Sequence, residues 1–311
     1  MKKLITFFLI CISFYCHGQD RSQFYYQIES LIDNDKLEEV IALKSQIVAN
    51  TTQLDTLSAD ILSIFGESYL GLEDFDNAVL NYEKALKASE QLIPIETTGY
   101  SNILYNLTYL YLEQGKFYKA IEAGGKLLAV DLMLYGKDSD AYLESVLYYS
   151  DILIETGKYS DALSILNKQL KNSKNDIFST ALINSKKGDV ISLLGNYDSS
   201  KDLLDAASSS FVSNSDTLNF ELTQAALGLN YIKQGKYPIA ESILLQSKNN
   251  LSLLSDTEFI INDLDNNLAL AQMALGRSSE AISIYKNLLL QDSLTFGAMH
   301  PNYLTSLINI G

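Results

Sequence analysis

Apolar residues recur at helical spacing along most of the chain, in segments that come in pairs with a glycine between them. Leu104, Leu107 and Tyr111 share one helical face, Gly115 follows, and apolar residues resume at Phe117. A period of three or four residues predicts an amphipathic helix, and glycine commonly ends a helix because it adopts the left-handed conformation without strain. The pattern therefore predicts pairs of antiparallel helices, each pair reversing at a glycine.

The same unit recurs six times, and the spacing of small residues makes the repeat visible. A small residue is followed by a second one twelve positions later, and the first members are 38 to 42 residues apart. The pairs are Gly66/Ala78, Thr108/Ala120, Ser150/Ala162, Gly188/Ser200, Gly228/Ala240 and Ala269/Ala281. Small residues let two helices approach closely where their axes cross. An aromatic residue stands three positions before the second member in five of the six units, and we expect it to fill the space beside the crossing.

This pattern resembles the tetratricopeptide repeat family, and residues 104–120 and 267–276 carry the resemblance most clearly. The period is longer than the usual one of about 34 residues, and His300-Pro301 precedes a new helical segment. Both features are similar to the repeats of kinesin light chains and of bacterial proteins whose repeats precede a caspase-like CHAT domain. The opening Trp and closing Pro of the family are missing. The resemblance implies an all-α, right-handed α-solenoid of antiparallel helix pairs.

The repeats also predict how the chain is organised. Residues 55–311 read as six repeats plus the start of another, and residues 19–54 as a degenerate N-terminal capping repeat in which Ile28 and Val40 stand twelve positions apart. Gly311 aligns with the first small residue of a further unit. Because a solenoid end needs a cover, we expect either a continuing repeat or a partner at this end.

Residues 1–18 predict a secretory signal peptide. Lys2 and Lys3 precede an apolar stretch from Leu4 to Tyr15, and cleavage after Gly18 would leave Gln19 as the new N-terminus. An uncleaved anchor, or lipidation at Cys16, is the alternative. The prediction is an exported chain, periplasmic or secreted, that has no membrane segment after cleavage.

Charge and composition exclude several classes of function. The chain has 38 acidic and 23 basic residues, a formal net charge of −15, and only two arginines. Such a chain is poorly suited to nucleic acid or to an anionic membrane surface. Removal of the signal segment would leave no cysteine and one histidine, His300, and no phosphate-binding loop is present. The sequence thus predicts no catalytic residues, no metal and no cofactor.

The resemblance implies that the first helix of each repeat lines a concave groove that receives peptides. Residue-by-residue matching places on that groove Glu67, Asn106, Tyr109, Glu113, Glu144, Tyr148, Asp151, Asp189 and Asn267. The acids among them are expected to face one concavity, to repel one another and to favour a basic partner. An ordinary acidic surface without a ligand is the alternative.

The resulting hypothesis is a non-catalytic, exported scaffold that binds a protein, a peptide or a flanking domain of its own chain. The alternative is the sensing arm of a larger enzyme, either a CHAT caspase-like protease or a sensor histidine kinase, with the catalytic part beyond Gly311.

Overall fold

The computed structural model describes residues 26–28, 30–32, 34, 36–43, 56–91, 97–173, 176–295 and 307–308. The predicted signal peptide, its cleavage site at Gly18 and Gln19, and most of the predicted further repeat lie outside these residues. Throughout the described ranges the regular secondary structure is α-helical. None of the helices in these ranges combines the length and apolar character that crossing a membrane requires.

The chain forms two compact units, divided after Gly136. The helices of unit 1 with defined bounds are α1 (Leu37–Ala42), α2 (Thr56–Gly71), α3 (Phe75–Ser89), α4 (Thr98–Glu113) and α5 (Phe117–Tyr135). Those of unit 2 are α6 (Asp140–Glu155), α7 (Tyr159–Asn172), α8 (Ile177–Leu193), α9 (Tyr197–Ser213), α10 (Thr217–Lys233), α11 (Tyr237–Leu251), α12 (Glu258–Ala274) and α13 (Ser278–Thr295).

Within each unit the helices pack in consecutive pairs. The pairs are α2 with α3 and α4 with α5 in unit 1, and α6 with α7, α8 with α9, α10 with α11 and α12 with α13 in unit 2. The first helices of neighbouring pairs in unit 2 also contact one another. The predicted all-α solenoid of antiparallel helix pairs is confirmed.

The turn inside five of the six pairs has the predicted left-handed glycine. The φ angle is +65° at Gly115 and lies between +73° and +83° at Gly157, Gly195, Gly235 and Gly276. Lys116 N–H donates to the Tyr111 carbonyl at 2.7 Å, the hydrogen bond typical of a Schellman helix end. Glu73, which replaces glycine in the first pair, adopts the same conformation with φ +60°.

The two helices of a pair approach closely at the first small residue. A Cβ atom on Gly228 would lie 2.7 Å from Leu244 Cδ2, and one on Gly188 would lie 2.7 Å from Leu204 Cδ2. Such distances leave no room for a side chain at either position. The predicted close contact is confirmed, and its partner is the residue four positions after the second small residue.

The aromatic residues of the five units differ in burial. They are the first residues of the second helices, and Phe117 remains 48% exposed. Tyr237 is half-buried and packs against the apolar cluster that contains Ala240 and Leu244, as the prediction requires. The side chains that lie directly against the crossing glycines are those of Tyr82, Leu204 and Leu244.

The residues before α2 pack against it. Ile28 and Val40 are fully buried and form one apolar cluster with Ile61 and Phe65 of α2. A Cβ atom on Gly71 would lie 2.7 Å from Leu37 Cδ1. Apolar burial against α2 is what a capping segment requires, although the boundaries at 19 and 54 stay a prediction.

The close approach predicts a large cost for a methyl group at the crossing. Gly228→Ala should lower the free energy of unfolding by about 1–3 kcal/mol, because the fully buried Leu244 must move. Urea unfolding followed by circular dichroism measures this change. Gly99→Ala is the control, since a Cβ atom there would lie 3.7 Å from Asp60 Oδ1, an ordinary contact, and alanine favours the helix by up to about 1 kcal/mol. Equal effects of the two substitutions would contradict the crossing model.

Candidate functional site

The first helix of each pair buries one side and leaves the opposite side accessible. In α10, Leu227 and Gly228 are buried, whereas Leu222 and Lys233 are exposed. Side chains separated by four, three and four residues share one helical face. We call this accessible face of each first helix its open face.

Four positions in each repeat form the open face. In unit 1 these are Asp60, Ile64, Glu67 and Gly71 on α2, and Asn102, Asn106, Tyr109 and Glu113 on α4. In unit 2 they are Glu144, Tyr148, Asp151 and Glu155 on α6; Leu182, Lys186, Asp189 and Leu193 on α8; Leu222, Ala226, Leu229 and Lys233 on α10; and Asp263, Asn267, Leu270 and Ala274 on α12. Every groove residue predicted from the sequence lies at one of these positions.

In unit 1 the open faces place acids beside tyrosines. Glu67 is half-buried, and burial raises the pKa of its carboxyl. Its charge also helps to raise the pKa of the fully buried Tyr82, where burial is the larger cause. On α4, burial raises the pKa of Tyr109, and the charges of Glu113 and Glu73 add to the shift. The Tyr109 phenol therefore remains protonated, and it can donate a hydrogen bond close to negative charge.

In unit 2 one lysine interacts with acids of two helices. Lys186 Nζ lies 2.6 Å from Asp151 Oδ1, so that α8 and α6 are joined across their open faces. Burial alone would lower the pKa of Lys186, but Asp151, Asp189 and Glu155 outweigh it and raise that pKa. The predicted repulsion is present between Asp151 and Asp189, since the charge of Asp151 helps to raise the pKa of Asp189, and Lys186 opposes this effect.

Asp189 ionises less readily than an ordinary aspartate. It is half-buried, and burial raises its pKa to about 6, while Lys186 opposes the shift and Asp151 adds to it. An acid with such a pKa gains or loses its charge close to neutral pH. Its ionisation state therefore depends on what covers the open face of α8.

The other predicted residues of unit 2 lie on the same surface at greater distance. Glu144 is exposed near the start of α6, and Tyr148 is half-buried one turn later. Asn267 is half-buried on α12, two first helices away from Asp189. The structure thus brings Asp151 and Asp189 together and leaves Asn267 apart from them.

Buried polar contacts hold neighbouring first helices of unit 2 in register. The hydroxyls of Ser185 on α8 and Thr223 on α10 lie 3.0 Å apart, and Ser192 Oγ donates to Asn230 Oδ1 at 3.0 Å. Both contacts join residues 38 positions apart, one on α8 and one on α10. Since α6 contacts α8 and α10 contacts α12, the four first helices lie side by side in this order.

Residue-by-residue matching to the groove also placed Leu222 and Leu229 of the apolar part of this surface, but it missed Leu270. Leu270 is 47% exposed on α12, and Leu222 is 38% exposed on α10. The position of Leu270 in the repeat could have identified it. Leu270 follows the small residue Ala269, just as Asp189 follows Gly188. Among the described residues, no group of three or more histidine, cysteine or acidic side chains is arranged to hold a metal ion.

Comparison with known proteins agrees with this geometry. The sequence profile of the tetratricopeptide repeat matches residues 59–92, which span α2 and α3. A tetratricopeptide repeat protein from Parabacteroides merdae is 16% identical with a TM-score of 0.69, over 94% of this chain and 98% of that one. The chain has the tetratricopeptide-repeat fold.

Two further solved structures share this fold. The apo form of RapI is 16% identical, with a TM-score of 0.64 over 94% of this chain and 87% of RapI. A Rap protein in complex with competence and sporulation factor is 14% identical, with a TM-score of 0.59 over 95% of this chain and 87% of that one. Comparison with curated protein sequences found no match.

The raised pKa of Asp189 predicts how stability depends on pH. Between the ordinary Asp pKa of 3.8 and the folded value of about 6, the folded chain binds more protons at this site than the unfolded chain. The contribution of Asp189 to stability therefore falls as pH rises through this window and is constant above it. Asp189→Asn should gain stability relative to the unchanged protein by about 1–3 kcal/mol between pH 4 and pH 7.

Urea unfolding at about pH 4, 5, 6, 7 and 8 measures this difference, because these values cover the window and the range above it. Asp202→Asn, at an exposed position on α9, is the matched control and should show no such trend. A difference between Asp189→Asn and the unchanged protein that stays constant with pH would contradict the burial of this carboxyl.

Proposed function

We propose that the chain is a non-catalytic binding module whose open faces hold a segment of a protein partner. The observation that carries this proposal is the row of open faces on four consecutive first helices of unit 2, each of which contacts the next. Its side chains include carboxylates, an ammonium group, amides and apolar groups, which is a set suited to recognition rather than to bond breaking. The Rap protein of the same fold was solved with a bound factor, which supports a binding role for such a surface.

The charge of this surface favours a basic partner segment. The open faces of α6 and α8 carry four acids, Glu144, Asp151, Glu155 and Asp189, against the single Lys186. Complementary charge speeds association and penalises acidic competitors. Because partly exposed charges are screened over about 8 Å at physiological ionic strength, affinity should fall as salt is added.

Site-specific photo-crosslinking tests where the partner binds. A photoreactive amino acid at Glu144 or Asn267, on open faces, should yield a crosslinked partner in the native host. The same group at Asp202 or Leu245, at exposed positions on the second helices α9 and α11, should yield much less. Crosslinks from the second helices alone, or from none of the four positions, would refute the proposal.

Export of the chain is part of the proposed function. The support is the basic head at Lys2 and Lys3 followed by the apolar stretch that ends at Tyr15. The protein purified from its native host should begin at Gln19, and intact-mass spectrometry of that material measures this. Recovery of the chain with Met1 intact from the cytoplasmic fraction would contradict export.

The second hypothesis from the sequence, a sensing arm of a CHAT protease or of a sensor histidine kinase, stays a prediction. The described residues carry no feature that favours it over a free-standing binding module.

A further inference from the structure

One position of the repeat changes its chemistry along unit 2. The residue that follows the first small residue is Asp151 on α6, Asp189 on α8, Leu229 on α10 and Leu270 on α12. All four lie on open faces, and the helices that carry them contact one another in this order. A ligand that crosses the helices in sequence therefore meets two acids and then two leucines.

The acidic half of this row carries two carboxylates and one lysine. Asp151 has Lys186 as its ion-pair partner at 2.6 Å. Lys186 also interacts electrostatically with Asp189, so that the two carboxylates of the row share one cation. A single positive group from a ligand, placed beside Asp189, would bring the local charge closer to neutrality.

The apolar half of the row is accessible. Leu270 is 47% exposed, Leu229 is half-buried, and Leu222 on the same open face of α10 is 38% exposed. Lys233 is the one charged residue among the open-face positions of α10. Apolar side chains of a ligand would remove these leucines from water.

The distance between neighbouring helices predicts how far apart the contact residues lie along a bound peptide. Neighbouring packed helices lie about 8–10 Å apart, and a chain in the extended polyproline II conformation advances about 3.1 Å per residue and returns to the same face every three residues. One helix therefore corresponds to about three residues of an extended peptide. A cation beside Asp189 would have apolar neighbours about three residues away at Leu229 and about six residues away at Leu270.

We propose that unit 2 binds an extended peptide segment with one lysine or arginine and two apolar residues. The apolar residues follow the cation in one chain direction, at about three and about six residues from it. The cation binds beside Asp189 and Glu155, and the apolar side chains bind at Leu229 and Leu270. This inference rests on the proposed function and defines the class of ligand. Charge complementarity at α6 and α8 favours such a segment over a second copy of this acidic chain.

Selection from a phage library of random peptides of about 12 residues, about twice the length that the three contacts span, tests the pattern on the whole protein. Enriched sequences should share a lysine or arginine and two apolar residues at the proposed intervals, in one chain direction. Enrichment of sequences that bind the open faces but lack the cation, or lack the apolar pair, overturns this inference and leaves the proposed function standing. Failure to enrich any sequence that competes for the open faces counts against both.

Affinity measurements on one selected synthetic peptide test the residues. Asp189→Asn should weaken binding about 3- to 30-fold, and Leu270→Ser about 5- to 50-fold. The controls Asp202→Asn and Leu245→Ser should leave the Kd within about twofold, because both residues are exposed on second helices. Circular dichroism and unfolding curves verify that each variant is folded.

A double-mutant cycle separates direct contact from an indirect effect. Replacing the lysine of the peptide with norleucine should remove the effect of Asp189→Asn and keep the effect of Leu270→Ser. Independent effects of the two changes would overturn the placement of the cation. Sedimentation at the same concentrations identifies self-association through the leucines, which would also overturn the proposal.

Discussion

The contact on which the rest of the structure depends is the close approach of the paired helices at the first small residue. At Gly188 and Gly228 the backbone of the first helix lies directly against a buried leucine of the second, and at Gly66 it lies against Tyr82. Because the smallest side of the first helix must point at its partner, the rotation of that helix about its own axis is fixed. The side that faces away is fixed by the same contact, and it becomes the open face.

Fixing this rotation frees the open face from the requirements of packing. The buried positions of the first helices repeat small and apolar residues from unit to unit, whereas the residue after the small one is Glu67, Tyr109, Asp151, Asp189, Leu229 or Leu270. No fold requirement explains an acid in one repeat and a leucine in the next at an accessible position. Variation at a position that the scaffold holds fixed is the way in which one repeat geometry can present different ligand contacts.

Sequence reasoning recovered the helix pairs, the glycine turns and the small-residue crossing because these features follow from short-range rules. A left-handed backbone conformation favours glycine, and a close crossing favours a small side chain. Both features therefore appear in the sequence as residue types at a fixed spacing. The space-filling role assigned to the aromatic residues was only partly predictable. A constant spacing from the crossing does not specify how deeply a side chain is buried, so Tyr237 packs against the cluster that contains Leu244, whereas Phe117 remains 48% exposed.

The candidate surface was predictable in position but not in its electrostatics. The helical period places Asp151 and Asp189 on open faces, but it does not show that Lys186 reaches from α8 to Asp151 on α6. That contact joins residues 35 positions apart and depends on the register between α6 and α8. Stacking also buries Asp189, and burial is the main cause of its raised pKa, with a smaller contribution from the charge of Asp151. The stacking of repeats therefore places acids that share one lysine next to exposed leucines. Each residue type is visible in the sequence, but the combination arises only when the first helices lie side by side.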